Sequence, residues 1–151
     1  MDVETVRRER YHPTDKEGII PGVRLSLIIP FHKNLNQLAL VLAPLEGLGP
    51  NYEVIVVADG AREDCGAIAA GVGARVVVRP ESGGPAVARN QGAAVARGEI
   101  LVFIDADVVV SKACLQQLDA MFSQRPEASA IFGAYDETPA ALNFISQYKN
   151  L

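Results

Sequence analysis

The sequence predicts an open α/β fold, a mostly parallel sheet with helices on both faces. Three observations carry that prediction. Short apolar runs rich in β-branched residues recur at 25–29, 52–57, 75–78 and 100–104, and each is continuous rather than alternating, as in strands covered on both faces. The segments between the runs carry helical signals, namely apolar residues three and four apart or capping residues. Glycine and proline punctuate the joins.

Residues 1–23, opening MDVETVRRERYHPTDKEG, have no apolar stretch at the start, which argues against a secretory signal and for a flexible, exposed arm. The first strand, 25–29, is expected to end at Pro30. Asn34 or Asn36 can cap the next helix, which lines up Leu35, Leu38, Leu42 and Leu45 and is limited by Pro44. A strand at 52–57, a weaker helix at 65–71 and a strand at 75–78 follow. After the Ser82, Gly83, Gly84 turn, a helix over 85–97 has Pro85 at its tolerated first position and Gly98 just past its end. The fourth strand is 100–104. Ser111 caps a helix carrying Leu115, Leu118 and Phe122, and 128–132 reads as a last short strand.

At 151 residues the chain fits one domain, and 49% hydrophobic with 21% charged residues argues against extensive disorder. A formal charge of -4 with no basic cluster argues against nucleic acid as a partner. Cys65 and Cys114 form no CxxC or Cys/His cluster, so reduced thiols and a cytoplasmic location are the expectation. The longest apolar stretch, 100–110, is interrupted by Asp105 and Asp107 and is too short to span a bilayer.

Ligands of open α/β sheets bind beyond the carboxyl ends of the strands. Four residue sets lie there: Pro30, Phe31 and His32; Ala58, Asp59 and Gly60; Arg79 through Gly84; and Asp105, Ala106 and Asp107. Two carboxylates two residues apart at a buried strand end repel each other and need positive charge, which a divalent cation such as Mg2+ or Mn2+ would supply. The alternative is an acidic loop capping the next helix. Asp59 either accepts hydrogen bonds from a ribose or a base or forms an Asp-Gly turn. The glycines at 83 and 84 suit the approach of an anion or a nucleotide edge to helix amides. Arg89, a turn inside that helix, suits a phosphate or a carboxylate such as Asp59 or Asp105, or is solvated. His32 either contacts a ligand or is a polar loop residue. Cys114 is most simply a packing residue.

In order, LSLIIPFHKN, EVIVVADGARED, ESGGPAVARNQGAAVARGEILVFIDADV and FGAYDETP followed by NFISQYKNL resemble the donor half of family 2 glycosyltransferases, which use nucleotide-diphospho-sugars on the GT-A fold. The resemblance runs from about Arg24 to the C-terminus, and its specific part is ARN, a helix, a Gly-Glu turn and a strand ending in DAD. It implies that Pro30, Phe31 and His32 border the base and that Asp59 contacts it. Arg89 would hold the nucleotide or a neighbouring carboxylate, Asp105 would reach ribose or sugar, and Asp107 with Asp105 would bind the metal. The family usually has two acidic residues where this chain has Ala58 and Asp59, and often one near Lys33 and Asn34, so fewer base contacts are expected.

The expected domain is therefore 24–151, a nucleotide-sugar-binding unit shortened before the family's acceptor half, its general base and its membrane-attached C-terminus. The expected activity is metal-dependent inverting transfer to a glycan, lipid or small-molecule hydroxyl, with membrane contact only through the missing C-terminal part. The fragment alone should be inactive, because Asp136 and Glu137 read as a solvated turn before Pro139. The alternative is a non-catalytic nucleotide-binding or interaction module of the same fold. Phe144, Ile145 and Tyr148 on a C-terminal helix would leave an apolar face that favours a homo-oligomer.

Overall fold

The structure, a computed structural model, describes residues 22–133. The order of elements is β1 (Leu25–Phe31), α1 (Leu35–Leu42), a 3-10 turn (Ala43–Leu45), β2 (Tyr52–Asp59), α2 (Gly66–Gly71), β3 (Arg75–Arg79), α3 (Pro85–Val95), β4 (Ile100–Phe103) and α4 (Lys112–Gln124). The strands form one parallel sheet in the order β3-β2-β1-β4. The chain divides into two compact units, Met1–Leu115 and Gln116–Leu151. The sheet belongs to the first.

Topology fixes which face each helix covers. From β1 the chain steps outward through β2 to β3, then returns across the sheet to β4 on the other side of β1. Right-handed crossovers then place α1 and α2 on one face and α3 on the opposite one. Accordingly α3 packs on β1 and β2, where Ile28, Ile55, Val57, Ala88 and Ala96 form a buried cluster. Gly92 makes that approach possible, since a Cβ there would lie 2.4 Å from Ile28 Cγ2. The alternate residues Leu27, Ile29, Phe31, Val54 and Val56 are buried on the second face, and Leu38, Val41 and Leu42 of α1 with Ala69 of α2 are the buried helix residues available to cover it.

Sequence and structure differ at several boundaries, including β4, which ends at Phe103 and not at 104, and α2, which starts at Gly66 and not at Cys65. β1 runs through Pro30 to Phe31, because its pairing with β4 stops at Ile28 and Phe103. Alternate residues face the same neighbour, and Ile28 O accepts from Ile104 N on the β4 side, so the N–H that Pro30 lacks would face an unpaired flank. β2 and β3 each extend to a charged residue, Asp59 and Arg79. α3 ends at Val95, two residues before the expected Arg97, with Ala96 already extended. That turn frees the Arg97 and Gly98 amides to donate to Glu53 and, at 2.8 Å, to Ser26 Oγ. Ser26 is fully buried, and Arg75 pairs with Glu53 at 3.5 Å, which ties the α3 to β4 connection to the amino end of the sheet.

Asn34 caps α1 from the left-handed region at φ 75°, accepting from Gln37 N at 3.2 Å, so the cap is Asn34 and not Asn36. Ser111 Oγ accepts from Cys114 N at 3.1 Å at the start of α4, as the sequence suggests. In the second unit, α4 continues to Gln124, and 128–132 forms no strand: Phe132 is exposed and the stretch pairs with no edge among the described residues. Five residues with small Ala and Ser at three positions offer too little apolar surface to hold a strand in place. Residues 1–21, Asp136, Glu137, Phe144, Ile145 and Tyr148 lie outside the described residues. No helix among the described residues is long and apolar enough to cross a membrane.

Candidate functional site

The strand order reverses between β1 and β4, which makes the carboxyl end of that pair the switch point where ligands of open sheets bind. His32 follows β1, Asp59 closes β2, and Asp105 to Asp107 follow β4. All three sets thus share one edge of the sheet because all four strands are parallel.

The strongest polar cluster on that edge centres on Asp59, a side chain 5% exposed. Its Oδ1 accepts from Arg79 Nε at 2.7 Å, its Oδ2 accepts from Ser82 Oγ at 3.0 Å and Gly84 N at 2.8 Å, and Gly83 N donates to both oxygens at 3.1 and 3.0 Å. Asp59 and Arg79 are register partners at the ends of β2 and β3, so neighbouring strands deliver the pair. Burial pushes the carboxyl upward, but the bonds from Gly83, Arg79, Ser82 and Gly84 outweigh it and lower its pKa from 3.8 to about 2. The glycine amides expected to meet an anion at the start of α3 meet this internal one.

Gly60 makes the contact sterically possible. At φ 59°, a Cβ there would sit 2.6 Å from Ser82 N, so only glycine lets the β2 exit lie against this loop. His32 is exposed and its Nδ1–H donates to the Asp59 carbonyl at 2.8 Å, an arrangement that leaves Nε2 as the acceptor in the neutral ring. Phe31 is 1% exposed and belongs to the core, whereas Pro30 is half-buried above it in the strand.

Arg89 resolves the choice between two carboxylates: its Nη2 donates to Asp105 Oδ1, while Asp59 is held by Arg79. Part of the positive charge that the acidic pair requires therefore comes from the protein itself. Asp107 is exposed and has no side-chain hydrogen-bond partner among the described residues, and Asp105 keeps its second oxygen. Val108 N donates to Asp105 O at 3.0 Å, which closes the turn that carries both carboxylates. No group of three or more His, Cys, Asp or Glu suited to a metal lies among the described residues. Two all-oxygen donors on one turn fit a hard cation that takes its remaining ligands from water and a diphosphate.

Sequence reasoning grouped Arg79 and Ser82 with ligand-facing residues and missed them as partners of Asp59. An arginine closing the strand beside one that ends in aspartate was the available signal.

Fold and site together define an open α/β domain of GT-A type with a paired-carboxylate turn at its ligand edge. The model of Glycosyl transferase family 2 matches residues 26–149, and the chain belongs to that family. It is 33% identical over 111 residues to the pre-mycofactocin glycosyltransferase of Mycobacterium tuberculosis, covering 71% of this chain and 22% of that protein. It is 27% identical over 117 residues to the glycosyltransferase GlyG of Streptococcus pneumoniae, covering 74% of this chain and 38% of GlyG. Among solved structures it is similar to S. aureus TarS 1-349 in complex with UDP, at a TM-score of 0.62 and 22% identity over 69% of this chain and 33% of that one. The mannosyltransferase PcManGT of Pyrobaculum calidifontis, in complex with GDP-Man and Mn2+, gives a TM-score of 0.54 and 20% identity over 72% and 36% of the two chains. The chain thus spans well under half the length of these relatives.

Proposed function

We propose that residues 24–151 form the donor-binding portion of an inverting glycosyltransferase that takes a nucleotide-diphospho-sugar. The observation that carries the reading is the turn after β4, where Asp107 is exposed and Asp105 is held by Arg89 beside the switch point. The UDP and GDP-Man complexes of the structural neighbours support the ligand class, and the Mn2+ in PcManGT supports the ion.

In this reading the base lies beyond the ends of β1 and β2, beside Pro30 and His32, and the ribose or sugar reaches the free oxygen of Asp105. Manganese or magnesium, held by Asp107 and Asp105, would neutralise charge developing on the leaving diphosphate. Arg89 keeps Asp105 in place and offsets its repulsion with Asp107. An acceptor hydroxyl on a glycan, lipid or small molecule forms a bond to the anomeric carbon as the bond to the diphosphate oxygen breaks on the opposite side. Its proton goes to a general base that is not among the residues assigned here. A cytoplasmic location belongs to the same reading.

Calorimetry with a nucleoside diphosphate tests it. Binding should require manganese or magnesium, and Asp107→Ala should cost about 1.5–3 kcal/mol. Equal affinity with a chelator present, or in the variant, refutes the assignment.

A further inference from the structure

The Asp59 carboxylate has roughly four lone-pair directions, and Arg79, Ser82, Gly83 and Gly84 supply four donors to them. Only 5% of the side chain is exposed. A nucleobase N–H would find this acceptor already saturated and covered. What the carboxylate does hold is the loop immediately before α3: Gly84 is the residue before the first turn, at φ 84°, and its amide is among the four donors. Arg89 lies on the helix that starts there and pairs with Asp105.

We infer that Asp59 and Arg79 are positioning residues for the donor site: they clamp the start of α3 so that Arg89 meets Asp105 and Asp107 stays free for a cation. The inference rests on the donor-binding reading above and changes its chemistry, because Asp59 then serves the diphosphate end of the ligand through α3 without touching the base. Two other features agree with a tight clamp. A Cβ on Gly83 would lie 2.9 Å from Arg79 Nη2, and one on Gly60 would lie 2.6 Å from Ser82 N, so the loop and both strand ends are in close contact. His32 keeps Nε2 as an acceptor in the neutral ring, since Nδ1–H is committed to the Asp59 carbonyl.

The experiment compares a ligand with a base and one without. Binding of a nucleoside diphosphate and of inorganic pyrophosphate, each with Mn2+, is measured on the full chain for wild type, Asp59→Asn, Arg79→Met and Arg79→Lys, at a temperature where melting curves show all four folded. Coupling through a packed network changes affinity by about 2- to 30-fold, and the proposal expects Asp59→Asn and Arg79→Met to weaken both ligands by the same factor in that range. Arg79→Lys, which keeps the charge, should recover part of the loss. Hydrogen exchange should rise across 82–89 in Asp59→Asn with no ligand present. A loss confined to the nucleotide, with pyrophosphate unchanged, would show that Asp59 reads the base and overturn the proposal. Unchanged exchange across 82–89 overturns the clamp independently. A wild-type chain that binds neither ligand instead overturns the donor-binding reading, and exchange then still decides whether the clamp exists.

Discussion

Replacing Asp59 with Asn should erase a specific part of the acid sensitivity of this fold. The carboxyl titrates near 2 in the folded chain and at 3.8 when unperturbed, so the folded state holds it ionised more strongly than the unfolded state does. Its contribution is therefore fully present above about pH 4 and is lost as pH falls toward about 2, where both states become protonated. A shift of this size corresponds to about 2.5 kcal/mol at full strength. The group lies just beneath the surface under a single loop, where solvent screens part of the interaction, and about 1–2 kcal/mol is the better expectation. Urea unfolding measured at a series of pH values gives the test. Wild type should be more stable than Asp59→Asn at neutral pH, and the two curves should converge between about pH 4 and pH 2, since the remaining carboxylates contribute to both and cancel in the difference. Parallel curves across that window would show that Asp59 is not the clamped anion of this edge.

Two further substitutions test packing and local geometry. Gly92→Ala should destabilise by up to about 2 kcal/mol, since overpacking against Ile28 costs about 1–3 kcal/mol and the better helix propensity of alanine offsets roughly 1 kcal/mol of it. Gly71→Ala, where an added Cβ would meet nothing within 4 Å beyond its own turn of helix, is the control and should lose nothing; a denaturation midpoint that rises in Gly92→Ala contradicts the packing described. Asn34→Ala should lower stability by about 1–2 kcal/mol through the lost cap and the strain of a positive φ, while Asn34→Gly costs a few tenths. Equal melting temperatures for the two variants would remove both causes.

The sheet was legible because its strands are continuous β-branched runs and because strict alternation with helices leaves few topologies to choose from. Pro30 was misleading for a local reason: proline normally stops a central strand, but β1 is central only as far as Ile28 and has an open flank beyond it. The short reading of 128–132 failed because an apolar pattern of five residues does not name an edge to pair with. At the site, the sequence singled out Asp59, Asp105 and the 79–84 segment by their places after strands, and Arg89 by its place one turn inside the following helix. It could not say which carboxylate each arginine meets. Arg79 is twenty residues from Asp59 and Arg89 sixteen from Asp105, and only the parallel register and the crossover of α3 bring those pairs together.

A cation and a diphosphate held at the turn after β4 would reveal themselves in the broadening that Mn2+ causes in backbone amide resonances of the chain. With a nucleoside diphosphate present, broadening should concentrate at 104–108, at the end of β1 and around Arg89, and should vanish in Asp107→Ala. Broadening that centres elsewhere, or that persists unchanged in that variant, would show that the cation is not held at this turn.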